Sequence, residues 1–534
     1  MVVSLVQDGK LNMAKNLIQN IVGGLRRYDL SKVGLSETIN MIEETTDASE
    51  NYVSKVLRPI PGYKKVCDIE GQCRGIYTVS NGYNGKPITY CVYDGSLYLI
   101  MAGSRLPYKI GDIAYGSEPV HFCETGNSSK DGVDFHAHLV IADGNTLYAV
   151  DTQIKPARQI DDFSVVELPY KNYEDGVRIH PTHCAYAYGY LIVNDKDTDL
   201  CYLTYQFPWE RVNSEGEVDK NVFMVGSEEW GYAGQNFQSY WSPDNTTALV
   251  CNGSRLYTFG RKSFQMFQYT GDLNVPFNSP DTCAKAIGLR SKNAICQLGT
   301  NILWLGSNDI GNNGIYMLND GVEAIRVSTP QIEREIASFK SLEDVSAQIW
   351  STEQHTFAVF TFPSANKSYC YDTVEGTWSE RCSLDDKNNR ISWRYNFATL
   401  SNEGTIWQSF NGGIAEQVND NWTEHDGKAI LRLRKGCVVQ SNYEHFIINW
   451  LEVMTNNGQY DKTYTGKLMM RYSTDGGTWT DSEVVEIGHT GDYDYDCVFY
   501  NLGLAKCFTV ELSCSDNIPF ALYGIRLDTD QCCF

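Results

Sequence analysis

Residues 248–272, ALVCNGSRLYTFGRKSFQMFQYTGD, decide the fold class of this chain. Apolar side chains alternate along the two runs that flank Asn252-Gly253. An Asn-Gly step tolerates positive φ at both central positions of a turn, so it predicts a tight β-hairpin. A second turn at residues 260–262 leads into another strand pattern with Phe264 and Phe267. The stretch therefore predicts a three-stranded antiparallel meander.

The same sequence pattern, a turn followed by Leu-Tyr, recurs at residues 93–98 and 143–148. Strand-rich repeats succeed one another at intervals of about fifty residues, and self-similarity at such a period indicates a repeat architecture. Three or four short strands per repeat are typical of propeller blades. We predict a mainly β protein with a β-propeller of about seven blades over residues 61–425; a pair of β-sandwiches is the alternative. The approximate repeat starts are Tyr90, Leu139, Ala185, Ala248, Asn301, Thr356 and Phe397.

The first sixty residues do not continue the strand pattern. Residues 11–21 predict a short amphipathic helix that stops at Gly23-Gly24. The following polar sequence, up to Pro59 and Pro61, predicts extended chain, because proline forces its predecessor out of the helical region. We interpret residues 1–60 as an extended and helical arm, laid over the main body or over a neighbouring subunit.

The end of the chain predicts a separate C-terminal β-sandwich over residues 426–534, because several alternating strand patterns follow one another there. Its first strand reads AILRLR at residues 429–434, and this alternation predicts that Arg432 and Arg434 lie on one exposed face. One helix is predicted to interrupt the strand repeats at residues 331–339, after a capping threonine and a proline suited to the first turn.

Composition limits the classes of function. A length of 534 residues predicts two to four domains. The net charge of −22 argues against gripping nucleic acid over a broad surface, but not against a passage through which DNA slides without adhering. No apolar run is long enough to span a membrane. The N-terminal sequence lacks a secretory apolar region, so we expect the protein to stay where it is made. The 17 cysteines lack paired metal-binding spacing and predict reduced thiols in the core.

Three short motifs resemble chemical sites. His136-Ala137-His138 places two imidazoles on one strand face, a spacing that metals use, but a third ligand is not indicated. The acidic run at residues 492–496 resembles the start of a calcium loop without its glycine and final glutamate. Residues 473–479, STDGGTW, resemble the Asp-box of sialidase-type propellers, one residue short. A β-turn accounts for that motif. We predict no catalytic, cofactor-binding or metal-binding residues.

The order of these features resembles one family, the packaged-DNA stabilisation proteins or tail hubs of short-tailed bacteriophages. The resemblance covers most of the chain through structural motifs. The motifs that carry it are Ser36-Glu37-Thr38-Ile39-Asn40-Met41, Val56-Leu57-Arg58-Pro59-Ile60-Pro61-Gly62, Cys73-Arg74-Gly75-Ile76-Tyr77, Tyr257-Thr258-Phe259-Gly260, Gly271, Gly314-Ile315-Tyr316-Met317, residues 331–339, residues 356–378 and Tyr472-Ser473-Thr474-Asp475-Gly476.

The resemblance implies a virion structural protein of the tail, assembled in the host cytoplasm, with no enzymatic activity. Such hubs form rings, generally hexamers, beneath the portal and its adaptor. They anchor tail spikes or fibres and the needle or plug, retain the packaged genome, and line the conduit through which double-stranded DNA is ejected without specific binding. The alternative reading is a carbohydrate-binding or glycan-hydrolysing β-propeller, which rests on the aromatic content and on the imperfect Asp-box.

Overall fold

The computed structural model describes residues 16–18, 21, 26–27, 35–45, 55–126, 128–130, 133–135, 137–153, 166–168, 179–203, 236–242, 244–272, 275–280, 283–308, 310–319, 321–352, 355–440, 444–458 and 465–531. The chain divides into two compact units that are interleaved along the sequence. The first unit comprises Met1–Lys64, Lys367–Trp393 and Val418–Phe534, and the second comprises Lys65–Asn366 and Arg394–Gln417. The predicted division at residues 60 and 425 stays a prediction.

The described secondary structure is almost entirely β, which confirms the predicted mainly β class. In chain order the elements are β1 (Asn16–Ile18), β2 (Arg26–Arg27), β3 (Leu35–Ile39), β4 (Met41–Thr45), β5 (Lys55–Pro59), β6 (Gly62–Asp68), β7 (Cys73–Val79), β8 (Ile88–Tyr93), β9 (Ser96–Met101), β10 (Tyr108–Asp112), β11 (His121–Glu124), β12 (Ser128–Lys130), β13 (Val133–Phe135), β14 (His138–Ala142), β15 (Leu147–Asp151), β16 (Val166–Leu168), β17 (Cys184–Ala187), β18 (Tyr190–Asn194), β19 (Leu200–Leu203), β20 (Asn236–Gln238), β21 (Thr246–Asn252), β22 (Arg255–Gly260), β23 (Phe264–Tyr269), β24 (Phe277–Asn278), β25 (Ala284–Lys285), β26 (Ile287–Leu289), β27 (Ile295–Leu298), β28 (Asn301–Asn308), β29 (Asn313–Asn319), β30 (Ala324–Arg326), α1 (Pro330–Ala337), β31 (Ser346–Ser351), β32 (Thr356–Phe362), β33 (Lys367–Asp372), β34 (Thr377–Glu380), β35 (Cys382–Leu384), β36 (Arg390–Ser392), β37 (Phe397–Leu400), β38 (Ile406–Phe410), β39 (Gly413–Val418), β40 (Arg432–Gln440), β41 (Phe446–Thr455), β42 (Lys467–Ser473), β43 (Glu483–Glu486), β44 (Cys497–Ala505), β45 (Cys507–Cys514) and β46 (Leu522–Gln531).

The second unit is a succession of small antiparallel sheets, each built from strands that follow one another in the chain. The sheet orders are β10-β9-β8-β7, β11-β14-β15-β16, β17-β18-β19-β20, β21-β22-β23-β24 and β26-β28-β29-β30, followed by the pair β31-β32. The last sheet has the order β37-β38-β39-β6, so strands from the end of this unit pair with β6, whose residues from Lys65 onward begin the unit.

Neighbouring sheets of the second unit contact one another around a closed circuit. Strand β7 contacts β11, β11 contacts β17, and β17 contacts β21. The circuit continues from β22 to β26, from β27 to β31, from β31 to β37, and from β37 back to β7. Apolar side chains fill the spaces between adjacent sheets; Tyr93 and Trp407, for example, share one cluster although they lie at opposite ends of the unit's sequence. Burial of each such side chain contributes about 1.5–3 kcal/mol.

The deciding stretch forms the predicted meander of β21, β22 and β23. Its first turn lies one residue later than predicted. Asn252 still pairs with Arg255, so the two turn residues are Gly253 and Ser254. Gly253 has φ +58°. A glycine at the first central position is the requirement of a type II′ turn, which suits the right-handed twist of the flanking strands as well as the predicted Asn-Gly turn would.

The predicted helix at residues 331–339 is confirmed as α1. Thr329 is its N-cap, and its hydroxyl accepts a hydrogen bond from the backbone N–H of Ile332. Pro330 opens the first turn, where its missing N–H costs nothing. Ile332 and Ile336 are buried on one face. None of the helices within the described residues has the length and apolar character needed to cross a membrane.

The first unit contains two larger sheets that enclose one apolar core. One sheet has the order β4-β5-β46-β41-β44, with β1 also paired to β46. The other runs β33-β34-β3-β40-β45-β42-β43 within this unit, with β2 also paired to β3. The core between them includes side chains of β41, β42, β45 and β46. Ile21, Met41 and Leu57 from the N-terminal segment are fully buried in the same core.

The N-terminal segment is therefore an integral part of the first unit in its described residues. The predicted helix at residues 11–21 is wrong for Asn16–Ile18, which form a strand antiparallel to β46; residues 11–15 and 19–20 lie outside the described residues. Apolar Leu17 and Ile18 fit either pattern, and strand pairing with β46 outweighs a weak local helix preference. Strands β3, β4 and β5 likewise pair with the chain's own C-terminal strands or with each other.

The predicted exposure of Arg432 and Arg434 is wrong, because both are buried. The guanidinium group of Arg432 donates hydrogen bonds to the backbone carbonyls of Cys514, Asp516 and Ile518. Arg434 donates to the hydroxyl of Thr38 at 2.7 Å and to the carbonyl of Ile21. A buried guanidinium is tolerated when its donors are satisfied in this way, and strand alternation cannot reveal such distant acceptors.

Candidate functional site

The described residues do not form a metal site at the histidine pair noted in the sequence, His136 and His138. His138 begins β14, while His136 lies outside the described residues. Where the structure is described, it holds no group of three or more His, Cys, Asp or Glu side chains arranged to bind a metal.

The structure instead brings two other histidines together, His121 and His183, whose ring centroids lie 4.7 Å apart. Burial lowers the pKa of His121 to about 4. Burial, His121 and the charge of Lys292 lower the pKa of His183 well below its ordinary value. Both rings are therefore neutral at pH 7. Protonating either one would place a cation in a buried site beside another potential cation.

The two acidic motifs are explained by local structure. The carboxylate of Asp475 accepts hydrogen bonds from the backbone of Gly477 and Thr478 at 2.8 and 2.7 Å. These bonds hold the pKa of Asp475 well below its usual range. The Asp-box-like motif is thus a turn stabilised by its own carboxylate. Residues 492–496 form an exposed segment, in which Asp492 accepts from the backbone N–H of His489 at 2.9 Å.

A charged pocket in the second unit was not predicted. It has a volume of about 480 Å³ and forms where turns and connections of several successive sheets converge. The contributing segments lie before β11, β17, β21 and β31, and in the turns after β18, β22 and β26. Its lining residues are Glu118, Thr182, Lys196, Asp197, Asp244, Asn245, Thr246, Thr247, Arg261, Lys262, Arg290, Lys292 and Glu343.

Backbone contacts fix the turn that presents Arg261 and Lys262 to this pocket. One carboxylate oxygen of Asp244 accepts from the backbone N–H groups of Lys262 at 2.6 Å and Ser263 at 3.1 Å. Gly288 permits the close approach of the neighbouring sheet, because a Cβ there would lie 2.1 Å from the carbonyl carbon of Arg261. Backbone contacts therefore fix the shape of this wall of the pocket, and the side chains of Arg261 and Lys262 extend from a turn that these contacts hold in place.

The basic side chains of the pocket differ in their pairing. Lys292 forms an ion pair with Glu118 at 2.9 Å. Arg261 and Arg290 both face Glu343, at 3.8 and 4.0 Å, which are beyond hydrogen-bonding distance. The Nε atom of Arg290 is buried, and within the described chain it has no hydrogen-bond partner.

The pocket was missed because its members are distant in sequence. Arg261-Lys262 and Arg290-Ser291-Lys292 are basic turns in a chain of net charge −22, and both follow a strand of a repeat. The two segments do not occupy equivalent turns, because Arg261 and Lys262 follow the second strand of one sheet whereas Arg290 and Lys292 follow the first strand of the next.

Comparisons with known proteins relate part of the chain to a phage family. Residues 234–403 match a family described as "Phage_stabilise: Bacteriophage P22 Gp10, beta-propeller". No curated protein sequence matches the chain.

Similar solved structures are distant in sequence. The extracellular domain of the one-component system BT4673 from B. thetaiotaomicron has a TM-score of 0.36 at 9% identity; the match covers 67% of this chain and 40% of that one. The AfRom2 CNH domain has a TM-score of 0.35 at 8% identity, covering 66% of this chain and 97% of that one. The Cps50 (Swd1) β-propeller domain from Myceliophteria thermophila has a TM-score of 0.36 at 11% identity, covering 66% and 98%. At these scores none of them bears on the function.

Proposed function

We propose that this protein is a non-enzymatic structural component of a phage virion that stabilises packaged DNA. The observation that carries the proposal is the match of residues 234–403 to the Phage_stabilise family. The matched segment includes the deciding meander, helix α1 and much of the charged pocket. The motifs that resemble the tail hub family lie both inside this segment and outside it.

The second unit is, in this proposal, a propeller of about seven blades. Its sheets succeed one another along the chain and contact each other around a closed circuit. The last sheet is completed by β6 from the start of the unit, which joins the two ends of the circuit. In the same proposal the two sheets of the first unit form a β-sandwich that includes the N-terminal strands, since they enclose a shared apolar core.

The more specific role is that of a tail hub. Several copies, six in the hexamer generally found in such hubs, form a ring below the portal and its adaptor, anchor spikes or fibres and a needle or plug, and line the ejection conduit. A ring closes when heterologous contacts are repeated by rotation. The net charge of −22 suits a conduit wall, because acidic side chains repel the DNA that slides past.

The test is a nonsense mutation in the gene for this chain in its phage, with a complementing plasmid as the control. We expect heads that package DNA but lose it after lysis, measured as a decline in nuclease-protected DNA per particle. Complementation should restore retention. Particles that hold their DNA and infect normally without this chain would refute the proposal. Glycan binding or hydrolysis by the purified chain would favour the carbohydrate-active alternative.

A further inference from the structure

The charged pocket of the second unit has the features of an oxyanion-binding site. It is large enough for a small organic ligand, for which pockets of roughly 300–1,000 Å³ are usual, and its volume is about 480 Å³. Five basic residues line it, namely Lys196, Arg261, Lys262, Arg290 and Lys292. Their concentration contrasts with the net charge of −22 of the whole chain.

The acidic residues of the pocket do not neutralise these cations equally. Asp244 is occupied by backbone N–H groups of the turn at 262–263. Glu118 pairs with Lys292. Within the described chain neither Lys196 nor Lys262 forms an ion pair with an acidic side chain, Asp197 of the pocket included, and both lysines are exposed. Two amines therefore remain available to a ligand.

Glu343 shows where an oxyanion would lie. Its two carboxylate oxygens face the Nη2 atoms of Arg261 and Arg290, one oxygen each, but at 3.8 and 4.0 Å. The Glu343 side chain is 56% exposed, so it can move aside at little cost. Arg290 also has a buried Nε without a partner in the described chain. Two guanidinium groups that face the two oxygens of one carboxylate are suited to a phosphate group at the same position.

We propose that this pocket binds a terminal phosphate group, held by Arg261 and Arg290 with Lys262 as an additional charge, and that Glu343 competes with the ligand for this position. A phosphate monoester fits better than a carboxylate, because it carries nearly two negative charges at pH 7 and three acceptor oxygens. The group can belong to free phosphate, to a mononucleotide or to the 5′ end of a nucleic acid. The pocket does not suit a duplex backbone, which is read over an extended basic surface.

The experiment is isothermal titration of the full-length protein at fixed ionic strength. The probes are inorganic phosphate, thymidine 5′-monophosphate, and a short single-stranded oligonucleotide with or without a 5′ phosphate. We expect binding of every probe that carries a terminal phosphate, and at least tenfold weaker binding of the oligonucleotide that lacks it. Comparable affinities for inorganic phosphate and the mononucleotide indicate recognition of phosphate alone, whereas tighter binding of the mononucleotide indicates a nucleotide site. Equal binding of the two oligonucleotides would overturn the proposal.

Three variants test the assigned roles. Arg290→Gln should weaken binding roughly tenfold or more, because a charged hydrogen bond contributes about 1.5–3 kcal/mol. Glu343→Gln should tighten binding severalfold, since it removes the competing charge; a folding defect could not produce that gain. Lys86→Gln, on an exposed loop outside the pocket, is the matched control and should have no effect.

The result for Glu343→Gln is decisive. Unchanged or weaker phosphate binding in that variant would contradict the competition, and unchanged binding in Arg290→Gln would remove the pocket as the site. Binding of a peptide with the sequence of residues 489–497 of this chain, in the absence of any phosphate binding, would overturn the proposal in favour of an acidic protein segment as the occupant.

Discussion

Replacing Asn40 should destabilise the first unit more than any exposed turn substitution. Asn40 joins β3 to β4 with a left-handed backbone, φ +51°, and is fully buried. Its side-chain amide donates to the carbonyls of Cys382 and Leu431, both at 2.9 Å. Its side-chain oxygen accepts from the backbone N–H of Cys382 at 3.2 Å. One residue thus connects the N-terminal strands to two distant segments of the same unit.

The magnitude follows from these contacts. Asn40→Ala removes three buried hydrogen bonds, each with a net contribution of about 1 kcal/mol. Alanine in the left-handed region costs roughly 1 kcal/mol more than asparagine, because the short polar side chain of asparagine makes this conformation less unfavourable. The expected loss is about 4 kcal/mol of unfolding free energy, a large part of the 5–15 kcal/mol that is typical of a domain.

The control is Asn388→Ala in the same unit. Asn388 has φ +61° but is exposed in a turn, so only the backbone cost of roughly 1 kcal/mol applies. Urea denaturation of the full chain gives the overall change. Hydrogen exchange of the amides of Cys382, which donates to Asn40, and Ile60, which bonds to the carbonyl of Asn40, reports on this site. The difference between the two variants should be about 3 kcal/mol.

Two results would contradict the hydrogen-bonding role of Asn40. One is equal destabilisation by Asn40→Ala and Asn388→Ala. The other concerns Asn40→Asp, which keeps the shape but turns the amide donor into a carboxylate facing two carbonyl oxygens. We expect Asn40→Asp to be at least as destabilising as Asn40→Ala at pH 7, and to recover in part at low pH, where a protonated carboxyl can donate. No pH dependence relative to the wild type would count against the assigned hydrogen bonds.

Three further predictions concern both units. The pKa of His121 is about 4 in the folded state and about 6.5 in the unfolded state, so the unfolded state binds more protons between these pH values. The free energy of unfolding should therefore fall by about 3 kcal/mol as the pH drops through that range. In the double variant with His121→Gln and His183→Gln, the loss of unfolding free energy between pH 7 and pH 4.5 should be smaller, as measured by urea denaturation midpoints. An equal loss in the wild type and the variant would contradict the conclusion that both rings are neutral in the folded protein. Gly288→Ala should lower the melting temperature of the second unit, since the new Cβ meets backbone at 2.1 Å. Gly477→Ala in the first unit, with nothing closer than 3.8 Å, should leave the melting temperature of that unit unchanged. Shifts of similar size in the two units would contradict the close approach at Gly288. Deletion of residues 1–60 should leave the first unit unfolded or aggregated, because it removes strands and buried core side chains. A monomeric deletion variant with an unchanged circular dichroism spectrum would show that this segment is dispensable for folding.

The sequence was most informative where local signals and long-range packing agree. The meander at residues 248–272 and helix α1 were predicted because their turn residues, cap and apolar spacing lie within a few residues of one another. The one-residue shift of the hairpin turn shows the limit of that argument, since Asn252 pairs in the ladder while Gly253 occupies the turn.

Features that depend on distant partners could not be predicted. Alternation placed Arg432 on an exposed face, but carbonyls more than eighty residues away bind and bury it. Strand β1 forms because it pairs with β46, which lies at the other end of the chain. The charged pocket collects residues from Glu118 to Glu343, and nothing local marks them as neighbours.

We propose that copies of this chain form a ring in the phage tail, and cryo-electron microscopy of tails isolated from the virion tests this proposal. We expect a closed, rotationally symmetric ring beneath the portal, into which both units fit, with each copy contacting its neighbours through two different surfaces. Antibody labelling against this chain should mark that ring. A tail that lacks the chain, or that carries it only in separate peripheral appendages, would contradict the proposed ring.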